Sequence, residues 1–137
     1  MANAFYAKGA EKVLAPLIGD SAVTGTLKVA LMADTYTPDL AADEFWDDIS
    51  SHVLGTPQAL ASAVVTGGKL DGDDPVFSAV TGGDTAASLV LFMDTGTPST
   101  SALIAYIDQI GGFPYETTGG DIEPRWDNGI YKILSLT

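Results

Sequence analysis

Two nearly uninterrupted apolar runs lie close together in the second half of the chain, and they constrain its fold more than any other feature. ASLVLFMD spans Ala87–Asp94 and ALIAYID spans Ala102–Asp108, with TGTPSTS between them. A short apolar run bounded by turn residues is typical of a strand that is covered on both faces. The Gly, Pro, Ser and Thr residues between the runs are typical of a turn. The sequence therefore predicts a hairpin at the centre of a β-sheet.

Shorter strand patterns precede this hairpin. The apolar residues of TLKVALM, Thr26–Met32, recur at every second position, which is the period of a half-buried strand. Two short strands are expected around a Gly67-Gly68 turn. The segment Asp74–Gly82 also alternates in the manner of a strand.

The C-terminal segment carries the strongest short-range hairpin signal, the Asn128-Gly129 pair between apolar residues. A two-residue loop would place Trp126 opposite Tyr131 as an aromatic cross-strand pair, with the second strand continuing over Ile130–Leu134. Pro124 cannot donate to a ladder, so its strand is expected at a sheet edge. This hairpin is expected to close the sheet.

The spacing of these patterns bears on the fold class. Turn signals recur at intervals of roughly eight to twelve residues, which favours an antiparallel β-sandwich or barrel. The chain has 137 residues, a length that suits one domain over 1–137. The sequence therefore predicts a mainly β fold, preceded by a short N-terminal helix.

That helix is predicted over Ala4–Ala15, within an N-terminal helix or arm of residues 1–17. Asn3 is a plausible N-cap, and Pro16 is expected to end the helix because the residue before a proline disfavours the α region. Gly9 weakens the helix. The apolar residues follow helical spacing and are expected to form one face: Tyr6, Ala10, Val13, Leu14 and Leu17.

Residues 33–58 are predicted to form a long acidic loop, with one helical turn around Asp43–Ile49. Loops of this length usually have a function or their own packing. Phe45 and Trp46 are two adjacent large rings among carboxylates. Two readings stay open: the rings fold back onto the domain, or they contact a partner, since Trp is enriched at interface hot spots.

Charge and composition limit the partners. The formal net charge is −12, with 18 acidic residues against 6 basic ones. Such a field repels nucleic acid and anionic membranes, because backbone binding needs clustered Lys and Arg. The chain has no cysteine, which fits synthesis in a reducing cytoplasm. The N-terminus does not read as a signal peptide, and no apolar run approaches the length of a membrane span.

No motif of known catalytic chemistry is complete. The Gly67–Lys69 stretch lacks both the earlier glycine and the Ser or Thr of a phosphate-binding loop. His52 is the sole histidine. Asp71, Asp73 and Asp74 lack the glycine and closing Glu of an EF-hand loop, so an ordinary acidic turn is expected. The sequence predicts a protein that is not an enzyme, with no cofactor and no metal.

Several blocks, in this order, resemble a family of small structural proteins encoded in tailed-bacteriophage genomes. They are NAFYAKGAEKVL, TLKVALM followed by YTPD, the strand containing Phe77, LVLFMDTGTPSTSALIAYID and GGDIEPRWDNGI. Typical members carry "YKDTGT…SPLIAYID" and then "GGD-x-x-x-x-WD-x-x-G". The resemblance covers nearly the whole chain; Phe92-Met93 stands where a Tyr-Lys pair is frequent.

The resemblance implies a virion component made in the bacterial cytoplasm. A head decoration (cement) protein on the outer capsid surface is expected, with a tail structural protein as the alternative. The implied partners are the major capsid protein and further copies of the chain, as a homotrimer; no nucleic acid and no membrane are expected. The candidate interface residues come from the N-terminal segment and the acidic loop: Phe5, Tyr6, Val13, Leu14, Phe45 and Trp46.

Overall fold

A computed structural model describes residues 3–126 and 132–136. It shows a mainly β chain with antiparallel pairing and one short N-terminal helix, so the predicted fold class is confirmed; both sheets are open. The strands are β1 (Ala4–Phe5), β2 (Thr26–Ala33), β3 (Val53–Ala59), β4 (Val64–Thr66), β5 (Lys69–Asp71), β6 (Thr85–Asp94), β7 (Ala102–Ile107), β8 (Tyr115–Glu116) and β9 (Leu134–Ser135). The helices are α1 (Ala7–Leu14) and α2 (Trp46–Ile49), with 3-10 turns at Ala15–Ile18, Ser50–His52 and Pro98–Thr100.

The larger sheet has the order β1-β7-β6-β2-β3, and β8 pairs with the start of β6. The two apolar runs form β6 and β7, which pair antiparallel with Leu91 opposite Ala105. β6 lies between β7 and β2, so the predicted central hairpin is confirmed. The predicted strand over Thr26–Met32 is also confirmed, as β2.

This sheet is covered on both faces, which explains why its central strands are apolar throughout. Val29 and Leu31 belong to one buried cluster, together with Phe77 and Trp126. The alternate residues of the same strand, Ala30 and Met32, belong to a second cluster on the opposite face. Successive side chains of a strand point to opposite faces, so two separate layers are needed to bury both sets.

The smaller sheet has the order β4-β5-β9. Its first hairpin is the predicted one: Gly67 and Gly68 have φ of 61° and 75°, as a type I′ turn requires. Leu134 of β9 pairs with Leu70 of β5, so the C-terminal segment completes this sheet. The predicted Asn128-Gly129 turn and the Trp126–Tyr131 pair lie wholly or partly outside the described residues. Of the described part of the predicted Ile130–Leu134 strand, residues 132–134, only Leu134 lies in β9.

The N-terminal helix differs from its prediction. Ala4–Phe5 is a strand paired with β7, so α1 begins at Ala7 rather than Ala4. Asn3 is not the N-cap; its Oδ1 accepts the N–H groups of Asp108 and Gln109, each at 2.9 Å. Tyr6 takes the N-cap position without a side-chain bond. The short strand is favoured because it extends the sheet and buries Tyr6.

Gly9 has a packing role that helix propensity does not reveal. It is buried where α1 crosses β7, and a Cβ atom there would collide with the carbonyl oxygen of Leu103 and lie 2.9 Å from Cα of Ile104. The absence of a side chain lets the helix approach the strand this closely.

Three further predictions are corrected. The loop expected over 33–58 ends earlier, because Val53–Ala59 forms the edge strand β3; the helical turn expected near Asp43–Ile49 is present as α2.

Asp74–Gly82 is not a ladder strand. Phe77 makes an isolated bridge with Ile122, and Ala79 has a φ of 49°, which interrupts extended pairing. Pro124 is buried outside any described strand, so it does not mark an edge.

Candidate functional site

The most exposed apolar surface among the described residues lies where α1 ends. α1 continues into the 3-10 turn Ala15–Ile18, and Gly19 ends the turn with a φ of 86°. The side chains of Leu14, Leu17 and Ile18 are 53%, 80% and 82% exposed. We call these three residues the helix-end surface. Burying large aliphatic side chains is favourable, so leaving three of them in water in one short segment is characteristic of an interaction site.

A concave apolar groove adjoins this surface. Its volume is about 260 Å³. It is the open mouth between the larger and the smaller sheet, with one wall from α1 and the segment that follows it. The lining residues are Phe5, Val13, Val23, Leu27, Val65, Gly68, Lys69, Leu70, Met93, Ile104, Leu134 and Leu136.

The two features meet at α1. Val13 lines the groove, whereas Leu14, the next residue, belongs to the helix-end surface. Neither Leu17 nor Ile18 lines the groove. The helix-end surface and the groove therefore lie side by side, and the chain does not use the side chains of the first to fill the second.

Charged groups around the two features differ in sign. Glu11, Lys12 and Asp20 border the helix-end surface. The ammonium of Lys12 lies 2.8 Å from a carboxylate oxygen of Glu44, so this lysine is already paired. Lys69 lines the groove, and among the described residues no ion pair involves it. The helix-end surface thus has an acidic border, apart from the paired Lys12, and the groove has a basic one.

The predicted interface residues of the N-terminal segment separate into two groups. Val13 is 37% exposed and Leu14 53%, so both are accessible, and Phe5 is half-buried in the groove wall. Tyr6 is fully buried: its hydroxyl lies 2.7 Å from that of Tyr36, and the position is therefore closed to a partner.

The Tyr6–Tyr36 pair belongs to a structural polar network. The hydroxyl of Tyr36 donates to Oδ2 of Asp43 at 2.8 Å, which ties the acidic loop to the sheet. Burial raises the pKa of Tyr6 above its ordinary value. Burial, assisted by the hydrogen bond with Tyr6, raises the pKa of Tyr36 further. Both phenols are thus held in their neutral forms.

Phe45 and Trp46 are fixed to their own domain. The indole of Trp46 stacks on Phe92, and its backbone N–H donates to the carbonyl of Ser101 at 2.9 Å. The ring of Phe45 lies 5.0 Å below the ammonium of Lys12. Of the two readings left open by the sequence, packing on the domain describes Trp46.

The acidic segments have structural roles as well. Oδ2 of Asp48 accepts the N–H groups of Glu44 and Phe45, each at 3.0 Å, and these bonds lower the pKa of its carboxyl. Asp74 accepts the N–H of Trp126 at 2.8 Å, and the indole N–H of Trp126 donates to the carbonyl of Asp73 at 2.9 Å. These carboxylates organise the backbone of their own and neighbouring loops.

The one histidine pairs with a threonine: Nδ1 of His52 lies 2.9 Å from Oγ1 of Thr35. Within residues 3–126 and 132–136, no group of three or more His, Asp or Glu side chains is positioned to hold a metal ion.

Sequence reasoning missed Ile18 and the groove, and it placed Leu17 on the apolar face of the N-terminal helix without deciding whether that face is buried or binds a partner. The signal for Leu17 and Ile18 was present in APLIGD, where two large apolar residues stand between a proline and a glycine. Pro16 and Gly19 end the helical segment there, so these side chains lie beyond the part of the helix that packs on the sheet. The groove has no comparable signal, because its walls come from segments that are far apart in the sequence.

No protein-family model matches the chain, and no curated protein or solved structure shows significant similarity to it. The kinship with phage structural proteins stays a prediction made from the sequence blocks. In the part of the chain that the structure describes, no helix combines the length and apolar character needed to cross a membrane.

Proposed function

We propose that this chain is a structural virion protein of a tailed bacteriophage, a head decoration protein that binds the outer capsid surface and stabilises the head. The observation that carries the proposal is the helix-end surface, whose Leu17 and Ile18 are 80% and 82% exposed beside an open apolar groove. Exposed apolar surface rimmed by charged residues is characteristic of protein–protein contact. The resemblance to phage structural proteins supplies the setting for that contact.

Charge is compatible with a position outside the DNA-filled head. The formal net charge of −12 opposes binding to packaged DNA. It also limits nonspecific aggregation of free protein before assembly. In this proposal the protein is not an enzyme, uses no metal or cofactor, and has the major capsid protein and further copies of itself as partners.

The fold suits a load-bearing role. The central strands β2, β6 and β7 are paired on both sides and covered on both faces. Such a sheet is expected to resist deformation when force is applied to the surface of the domain. A decoration protein transmits force between its contacts without catalysing a reaction. Stable contacts of this kind bury about 1,200–2,000 Å² in total.

The test uses phage particles from which this protein has been removed by deletion of its gene. Purified protein is added back, and heads and tails are separated before the bound protein is quantified. Binding to heads at a fixed ratio to the major capsid protein, with heads that survive higher temperature, supports the proposal. Binding to tails alone supports the tail alternative, and binding to neither overturns a virion role.

A further inference from the structure

The helix-end surface and the groove have the same apolar character, and the side chains of the first are largely accessible. One presents Leu17 and Ile18 outward, and the other is a cleft of about 260 Å³. This volume is slightly below the range of about 300–1,000 Å³ that is typical of sites for drug-sized ligands. A cleft of this size suits a few inserted side chains better than a large ligand.

The occupant has to come from outside the same molecule. Leu14, Leu17 and Ile18 do not line the groove, although Val13 on the same helix does. The groove therefore stays open in a single chain, and the helix-end surface stays uncovered.

The charge at the groove indicates which kind of external segment would bind there. The groove carries Lys69, which has no ion pair among the described residues. An apolar segment bordered by carboxylates would place a negative charge beside this ammonium. The helix-end surface is such a segment, because Glu11 and Asp20 border it. Complementary charges at the rim of an apolar contact fix its register and disfavour wrong partners.

We propose that the helix-end surface of one copy docks into the groove of a second copy, with Leu17 and Ile18 inserted between the two sheets and Lys69 facing Glu11 and Asp20. This inference rests on the proposed function in treating the helix-end surface as an assembly surface, and it assigns that surface to a neighbouring copy. The contact joins two different surfaces, so it repeats from copy to copy. Such a contact closes a ring when the rotation between copies closes, and otherwise extends as an open chain.

The absence of cysteine makes a direct test possible. Leu17→Cys is prepared in one sample and Val65→Cys, in the groove wall, in another. Both side chains are exposed, at 80% and 76%, so neither change should disturb the fold, which circular dichroism checks. One variant carries a tag so that mixed and like dimers separate on a non-reducing gel. The two samples are mixed and oxidised gently at physiological ionic strength, where the Debye length of about 8 Å screens the long-range repulsion between copies.

The matched control is Val64→Cys. Val64 is 54% exposed and adjacent to Val65, but it points to the other face of β4 and does not line the groove. The mixed disulfide of Leu17→Cys with Val65→Cys should form about tenfold faster than with Val64→Cys, because docking raises the local concentration of the first thiol pair. Equal rates for the two pairs overturn the inference.

A second arm avoids cysteine chemistry. Lys69→Glu should slow the Leu17–Val65 disulfide, and adding Glu11→Lys to the Leu17→Cys sample should restore its rate. Failure of that rescue overturns the assigned register. These measurements need no phage particle, so they stand apart from the proposed function. Rapid cross-linking together with no binding to heads supports this contact and overturns the decoration role. Binding to heads with equal disulfide rates supports the decoration role and overturns this contact.

Discussion

The indole ring of Trp46 lies flat against the phenyl ring of Phe92, with the ring centroids 4.5 Å apart and the planes inclined by 5°. Phe92 belongs to β6 and is 2% exposed, so the indole is the outer layer over one face of the central sheet. This contact anchors the acidic loop to the body. It makes Trp46 a contributor to the stability of the domain.

Trp46→Ala should therefore lower the free energy of unfolding by about 2–3 kcal/mol, somewhat less than a fully buried aromatic residue would cost, since the indole is partly exposed. Urea denaturation measures the loss. Trp46→Phe is the control, because it keeps an aromatic ring over Phe92 and should lose less. Unchanged stability of Trp46→Ala, together with lower occupancy on particles, would instead make Trp46 a partner contact.

Gly9→Ala gives a prediction in which two principles oppose each other. Alanine is the better helix former by about 1 kcal/mol, so propensity alone predicts stabilisation. The new Cβ would collide with the carbonyl oxygen of Leu103; the Cβ is attached rigidly to the backbone of α1, and the oxygen belongs to the backbone of β7. The steric cost of the collision should exceed the gain in helix propensity, so thermal unfolding should show a lower midpoint.

Gly111→Ala is the matched control for that variant. No atom lies within 4 Å of a Cβ built at Gly111, and its φ is not positive, so alanine should be neutral or slightly stabilising there. A Gly9→Ala variant as stable as Gly111→Ala would show that α1 moves away from β7 at little cost.

The parts of the fold that sequence predicted best are those in which pattern and burial agree. β6 and β7 read as continuous apolar runs because both of their faces are covered. β3 was missed because it is an edge strand containing Gly55 and Pro57, and only its pairing with β2 holds it extended. Asp74–Gly82 has the alternation of a strand, but its backbone bonds go to Ile122 and Gly120 in a distant segment.

The candidate site was predicted only in part for a related reason. Val13 and Leu14 followed from helical spacing, but spacing does not tell which side of a short helix meets the sheet. Gly9 bears on that orientation, because it lies against β7 at a position where no side chain fits. Once Gly9 faces the strand, Leu17 and Ile18 fall beyond the packed surface. The groove depends on the separation of two sheets, which no local pattern encodes.

The Tyr6–Tyr36 pair predicts a loss of stability at alkaline pH. Burial raises the pKa of both phenols in the folded chain, whereas in the unfolded chain each ionises near its ordinary value of about 10. Above that pH the unfolded chain releases protons that the folded chain retains, so the free energy of unfolding falls as pH rises. Below that pH, the contribution of the two phenols to the free energy of unfolding is fully present.

Chemical denaturation between roughly pH 8 and pH 11 brackets that value and tests this behaviour. The double variant Tyr6→Phe, Tyr36→Phe should show a shallower decline than the wild type, because neither phenylalanine ionises. Tyr115→Phe is the control, since Tyr115 is 42% exposed, and its decline should follow the wild type. The same slope in all three proteins would contradict the assignment.

The helix-end surface gives the prediction that separates an assembly role from a structural one. Leu17 and Ile18 are 80% and 82% exposed, so the double variant Leu17→Ser, Ile18→Ser should change the free energy of unfolding by no more than about 0.5 kcal/mol. Its occupancy on heads should nevertheless fall well below that of the wild type, because each copy loses its contact with the next. Val76→Ser, an exposed apolar position outside both the helix-end surface and the groove, is the control and should retain full occupancy. Wild-type occupancy of the double variant would mean that binding to heads does not depend on the helix-end surface, whereas a large loss of stability would mean that these two side chains are covered within the chain.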